Sequence, residues 1–154
     1  MTWPHKRNSL TKAARSGVSK PSGQEQIAMD FRFFADVATY TVDDGIHVVG
    51  FADRNPPISY VILQRGVEDD AQDQALGHDT YYMEVCENGV AGYGGVESVS
   101  WRGEMLNIEL APDAAWAEGL GLVTIVVRAI DGLEQVKQGL AAIFSGTPTR
   151  LRVD

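Results

Sequence analysis

The sequence predicts an α+β fold: an antiparallel, meander-like β-sheet with one short helix, and a C-terminal amphipathic helix packed on the sheet. Three observations support this class. Short apolar stretches follow one another, separated by turn signals, as in antiparallel sheets and unlike alternating βαβ units. Two of these stretches are apolar on both faces, which is typical of central strands. The clearest helical period comes near the C-terminus.

The first half of the domain is predicted to form four strands. Residues 31–42 alternate in polarity, and the turn signal Asp43-Asp44-Gly45 joins them to a second strand at 46–53, so that 31–53 forms a hairpin. Residues 58–65 are apolar on both faces and predict a central strand. Residues 80–86 form the fourth strand.

The second half continues the pattern. Asn88-Gly89 is a strong hairpin signal, and the glycine cluster Gly92–Gly95 predicts a bulge or a tight turn with positive φ. Pro112 and Gly119 bracket a short helix. Further strands are predicted at 90–101, 104–110, 121–129 and, as a short last strand, 149–153.

The final helix has a capping signal and an apolar stripe. Asp131 stands three residues before Glu134, as in a capping box. Gly146 and Pro148 end the helix. The apolar stripe consists of Leu133, Val136, Leu140 and Phe144.

The charge of the chain is unevenly distributed. The 154 residues include 13 basic and 21 acidic side chains, for a net charge of −8. Residues 1–24 contain five basic groups and no acidic one, so residues 1–28 are predicted to be a disordered basic tail. Residues 29–154 are predicted to be a single domain. This acidic domain argues against direct nucleic-acid binding, because phosphates are bound by Lys and Arg.

The remaining composition predicts a cytoplasmic protein. Cys86 is the only cysteine, so no intrachain disulfide forms, and a single thiol suits a reducing compartment. No apolar stretch approaches the ~20 residues of a membrane span. No apolar run follows the basic N-terminus, so we expect no signal peptide and no membrane association.

An acidic segment at 66–79 is the first candidate for a functional site. A connection of this length is uncommon and often functional. Its spacing does not fit the EF-hand pattern, and with few histidines in the domain no metal is predicted. We interpret it as a solvated loop or an acidic contact surface. Its ionisable side chains are Glu68, Asp69, Asp70, Asp73, His78 and Asp79.

No set of residues predicts catalysis or a cofactor. The chain lacks a nucleotide-binding glycine motif and a nucleophile elbow. Cys86 would need His47 or His78 beside it to act as a nucleophile. The aromatic side chains of Tyr81, Tyr82, Tyr93 and Trp101 suit a protein interface and a buried core equally well.

Four stretches form an unusual combination: VGFAD (49–53), YVILQR (60–65), the run EDDAQDQALGHDTYYMEV (68–85) and GYGGV (92–96). With these stretches the sequence resembles the immunity protein 10 family of bacterial polymorphic toxin systems, over most of residues 30–145. The resemblance implies a cytoplasmic, non-catalytic protein that binds a cognate toxin and blocks its active site or substrate groove.

An acidic domain suits a basic toxin such as a nuclease. The residues that this hypothesis assigns to the toxin contact are Arg65, Glu68, Asp69, Asp70, Asp73, His78, Asp79, Tyr81, Tyr82 and Tyr93. Arg65 is alternatively structural, holding the segment through an acidic neighbour such as Asp69.

Two other hypotheses stay open at this point. One is a small ligand-binding or hydrolytic module, with a pocket between the sheet and the C-terminal helix that contains Glu84, His47 or Cys86. The other is a homodimer that pairs through an exposed edge strand.

Overall fold

A computed structural model describes residues 29–67, 80–85 and 89–154. A short 3₁₀ helix, Ala115–Ala117, and one α-helix, α1 (Leu133–Phe144), accompany the strands. The ten strands in these ranges are β1 (Met29–Ala35), β2 (Val37–Asp43), β3 (Ile46–Ala52), β4 (Tyr60–Gly66), β5 (Tyr82–Val85), β6 (Val90–Tyr93), β7 (Val96–Arg102), β8 (Met105–Leu110), β9 (Leu120–Val127) and β10 (Arg150–Val153).

The strands form two five-stranded sheets, and the predicted α+β class is confirmed. Sheet A has the order β1-β9-β8-β7-β10, and sheet B has the order β2-β3-β4-β5-β6. Sheet B is an antiparallel meander with β4 at its centre, as the two-sided apolar pattern of 58–65 predicts. Sheet A contains two parallel pairs, β1 with β9 and β10 with β7, because its outer strands come from distant parts of the chain.

The chain passes between the two sheets at short breaks in the alternating pattern. Asp36 separates β1 from β2, so the predicted strand at 31–42 is split between the sheets, and only its second half pairs with β3. Gly94 and Gly95 separate β6 from β7 with φ angles of 66° and 85°. The positive φ predicted for this glycine cluster is confirmed at Gly94 and Gly95. The single strand predicted at 90–101 is wrong, because the chain passes from sheet B to sheet A at these two glycines.

The hydrophobic core lies between the sheets and under α1. The rings of Phe51 from sheet B and Trp101 from sheet A meet edge to face, with 5.8 Å between their centres. The helix packs closely on β2 and β3. A Cβ atom added to Gly139 would lie 2.7 Å from Tyr40 Cγ and 2.8 Å from Val49 Cγ2, so helix and sheet are in direct contact here.

The predicted helix and its apolar stripe are confirmed, but its start differs from the prediction. Val136, Leu140 and Phe144 are buried in the core. The N-cap residue is Gly132, with φ at 74°, and no side chain caps the helix. The predicted capping role of Asp131 is therefore wrong. No helix among the described residues is long and apolar enough to span a membrane.

Candidate partner-binding site

The acidic segment joins sheet B at one end of two neighbouring strands. Glu68, Asp69, Asp70, Asp73, His78 and Asp79 lie outside the described residues, as does Cys86. The strand β4 that precedes the segment ends at Gly66, and β5 begins at Tyr82 after it. Gln64 lies opposite Tyr82 in this antiparallel pair. The residues on either side of the acidic segment are therefore neighbours, at the same end of β4 and β5.

Two tyrosines lie together on the outer face of sheet B at this end. Tyr82 and Tyr93 are opposite each other on β5 and β6, and their ring centres are 5.3 Å apart in an edge-to-face arrangement. Tyr93 is 45% exposed and Tyr82 is half-buried. We call this pair, with Gln64 beside it, the tyrosine face. Two adjacent strands thus present an aromatic surface, in which Tyr93 is the more exposed ring.

A buried carboxylate supports Tyr82 from the middle of the sheet. Glu84 is only 8% exposed, and it accepts hydrogen bonds from the hydroxyl groups of Tyr60 (2.7 Å) and Tyr82 (3.4 Å). A buried carboxylate needs such donors to offset its lost hydration. Tyr60 was not singled out from the sequence, although its alternation with Ile62 places it on the face that carries Glu84.

Tyr81 belongs to the interior of the protein and not to the tyrosine face. It is 2% exposed, and its ring packs edge to face on Phe144. Its hydroxyl oxygen accepts a hydrogen bond from the Val96 amide at 2.9 Å and lies 2.8 Å from Thr149 Oγ1. Successive strand residues point to opposite faces, so Tyr81 and Tyr82 cannot both face a partner. We therefore assign Tyr81 to the core.

The structure does not bring His47 and Glu84 of the predicted pocket together, and Cys86 lies outside the described residues. His47 faces α1 and lies 2.8 Å from the Tyr40 hydroxyl through its Nδ1 atom, whereas Glu84 lies on the opposite face of sheet B. The sheet and the helix are in close contact where Gly139 meets Tyr40 and Val49. An open cavity of about 180 Å³ at the end of this interface is lined by His47, Arg65, Ala142 and Ser145, but not by Glu84. Within the described ranges, no three His, Cys, Asp or Glu side chains are grouped to hold a metal ion.

Comparison with known families places this chain among immunity proteins. The family model for immunity protein 10 matches residues 34–132. The chain belongs to the immunity protein 10 family. The match confirms the resemblance seen in the sequence, and it spans all of sheet B, including the tyrosine face. A search of curated proteins found no significant match.

Arg65 in this immunity protein 10 family member binds the C-terminal end of α1. Its Nη1 atom donates hydrogen bonds to the carbonyl oxygens of Ile143 (2.8 Å) and Ser145 (2.6 Å). The last carbonyls of a helix have no partner within the helix, and a cation there also interacts favourably with the helix dipole. Arg65 therefore joins β4 to α1. A contact of Arg65 with Asp69 falls outside the described residues.

Replacing Arg65 tests this structural role. We expect Arg65→Met to lower the free energy of unfolding by about 1–2 kcal/mol, because two carbonyl groups lose a charged donor. Urea unfolding followed by circular dichroism measures the change. Arg54→Met is the matched control, since Arg54 is exposed. An equal loss in both variants would contradict the role assigned to Arg65.

Proposed function

We propose that this immunity protein 10 family member binds a cognate protein toxin and neutralises it by covering the active site or substrate groove, without catalysing a reaction. Family membership supports the immunity role. The observation that supports the site assignment is the Tyr82–Tyr93 pair, with Tyr93 exposed, at the end of sheet B where the acidic segment joins.

The tyrosine face suits the centre of a protein interface. Tyrosine buries a large apolar area and keeps a hydroxyl for hydrogen bonding, and it is enriched among the residues that dominate binding energy. Tyr82 is held between the ring of Tyr93 and the carboxylate of Glu84. Because its position is set before binding, little side-chain entropy is lost on complex formation.

The acidic segment supplies the polar surroundings of this contact in our proposal. Its carboxylates would face basic groups of the toxin, as expected for a nuclease that binds phosphates. Complementary charge accelerates encounter and favours the correct partner over others. The residues concerned are Glu68, Asp69, Asp70, Asp73 and Asp79, together with His78.

Co-expression tests the function itself. The toxin encoded next to this protein is expressed with and without it, while growth is followed and the complex is purified. We expect growth to be rescued and the two chains to co-purify at 1:1 stoichiometry. Rescue without a complex, or absence of rescue, would contradict neutralisation by direct binding.

Replacing the exposed tyrosine tests the binding face. We expect Tyr93→Ala to raise the Kd of the toxin complex about tenfold or more, as for a central aromatic residue in an interface. Calorimetry of the purified complex measures the change. Ile130→Ala is the control, because Ile130 is 85% exposed and lies between β9 and α1. If the two variants weaken binding equally, the tyrosine face is not the site.

Neutralising the acidic segment tests its electrostatic role. The triple variant Asp69→Asn, Asp70→Asn and Asp73→Asn should raise the Kd and flatten its dependence on salt, because fewer charge pairs remain to be screened. Binding is measured between low and physiological salt. Asp113→Asn, at an exposed position outside this segment, is the control. If the triple variant binds the toxin with unchanged affinity, the acidic segment is not part of the interface.

A further inference from the structure

The basic side chains of the described residues are concentrated on one side of the molecule. These residues contain eight basic side chains in all, and five lie on or beside the outer face of sheet A, the side directed away from sheet B. We call the surface formed by Arg32, Arg102, Arg150 and Arg152, with Phe34 and Met105, the arginine face. Such a concentration is unexpected in a chain with a net charge of −8.

The four arginines of this face are exposed and make no ion pair within the described ranges. Arg128, next to them, forms a two-point pair with Asp36 at 2.9 and 3.0 Å, and Lys137 lies 3.7 Å from Glu134. For the four arginines of the face, no carboxylate among the described residues lies within 4.0 Å. Their guanidinium donors are therefore available to a partner.

Strand pairing brings three of these arginines to one corner of the sheet. β10 lies parallel to β7, with Arg150 opposite Ser98 and Arg152 opposite Ser100. Arg102 follows Ser100 by two residues on β7 and therefore points to the same face. Three like charges on adjacent strands repel one another, and this repulsion is relieved when carboxylates bind among them.

An exposed apolar row lies beside the arginines. Phe34, Val126, Met105 and Arg102 are successive cross-strand neighbours on β1, β9, β8 and β7. Phe34 is 47% exposed and Met105 is 40% exposed. Arginine, phenylalanine and methionine are the residue types enriched in protein interfaces relative to the rest of the surface.

We propose that the arginine face is a second protein-binding surface, which takes a partner segment carrying carboxylates beside apolar side chains. Charge complementarity identifies the partner: the arginines pair with its carboxylates, while Phe34 and Met105 contact its apolar groups. A polynucleotide fits less well, since its regularly spaced phosphates would also meet Asp30 and Glu109 on the same face, whereas a peptide can place its carboxylates beside the arginines alone. The arginine face and the tyrosine face are on opposite sides of the molecule, so both can be occupied at once.

Peptide binding to the full-length protein tests this proposal. The probe is a fluorescent peptide in which Glu alternates with Val, and its reference is the same peptide with Gln in place of Glu. Anisotropy at low salt should show binding of the Glu peptide only. The triple variant Arg102→Gln, Arg150→Gln and Arg152→Gln should weaken this binding about tenfold or more, because three charge pairs are lost. Phe34→Ser should also weaken it, whereas Arg54→Gln should not.

Each other outcome overturns the proposal. Equal binding of the two peptides, or equal loss in Arg54→Gln, would show that the arginine face does not recognise carboxylates. Tighter binding of oligothymidylate that depends on the same three arginines would assign the face to phosphates. If the protein alone sediments as a dimer and the triple variant sediments as a monomer, the arginine face binds a second copy of the chain instead. Thermal unfolding of each variant verifies that the fold is retained.

Discussion

The hydroxyl group of Tyr81 connects both sheets and the segment that follows the helix. Its oxygen accepts a hydrogen bond from the Val96 amide and lies 2.8 Å from Thr149 Oγ1, which donates to the Val96 carbonyl at 2.7 Å. This closed ring joins the start of β5 in sheet B, the start of β7 in sheet A and the residue before β10. The ring of Tyr81 packs on Phe144 of α1. Every donor and acceptor in this buried ring is satisfied, as burial of polar groups requires.

The inward position of Tyr81 determines what the outer face of sheet B presents. Since strand residues alternate between faces, fixing Tyr81 inside directs Tyr82 and Glu84 outward. Glu84 is nevertheless buried there, and it binds the hydroxyls of Tyr60 and Tyr82. The outer face therefore has a buried part, formed by Tyr60 and Glu84, and an exposed part on the edge strand β6, where Tyr93 lies. Tyr81, which directly precedes β5, thus supplies the internal connection, while Tyr82 on β5 and Tyr93 on β6 form the tyrosine face.

The local sequence pattern was sufficient to predict most strands, but not which strands form which sheet. Turn signals located the β2–β3 and β5–β6 hairpins, and the helical period located α1, because these features depend on neighbouring residues. Alternation shows that a strand has a buried face, but not which sheet buries it. The chain passes from β1 in sheet A to β2 in sheet B across a single residue, Asp36. The parallel pairing of β10 with β7 depends on contacts across about fifty residues, which no local pattern encodes. The arginine face was missed for the same reason, since Arg102 and Arg152 are close only through this pairing.

The two sheets differ in how they are assembled, and this allows their outer faces to change independently. Sheet B is continuous from β2 to β6 and lies wholly within the segment that matches the immunity protein 10 family. Sheet A takes β10 from beyond that segment, and β10 pairs only with β7. Arg150 and Arg152 point outward from this edge strand, whereas Thr149, directly before them, points inward to the Tyr81 hydroxyl. Substitutions there alter the charge of the arginine face while leaving the support of the tyrosine face intact. The arginine face and the tyrosine face thus depend on different sheets and on different strand pairings.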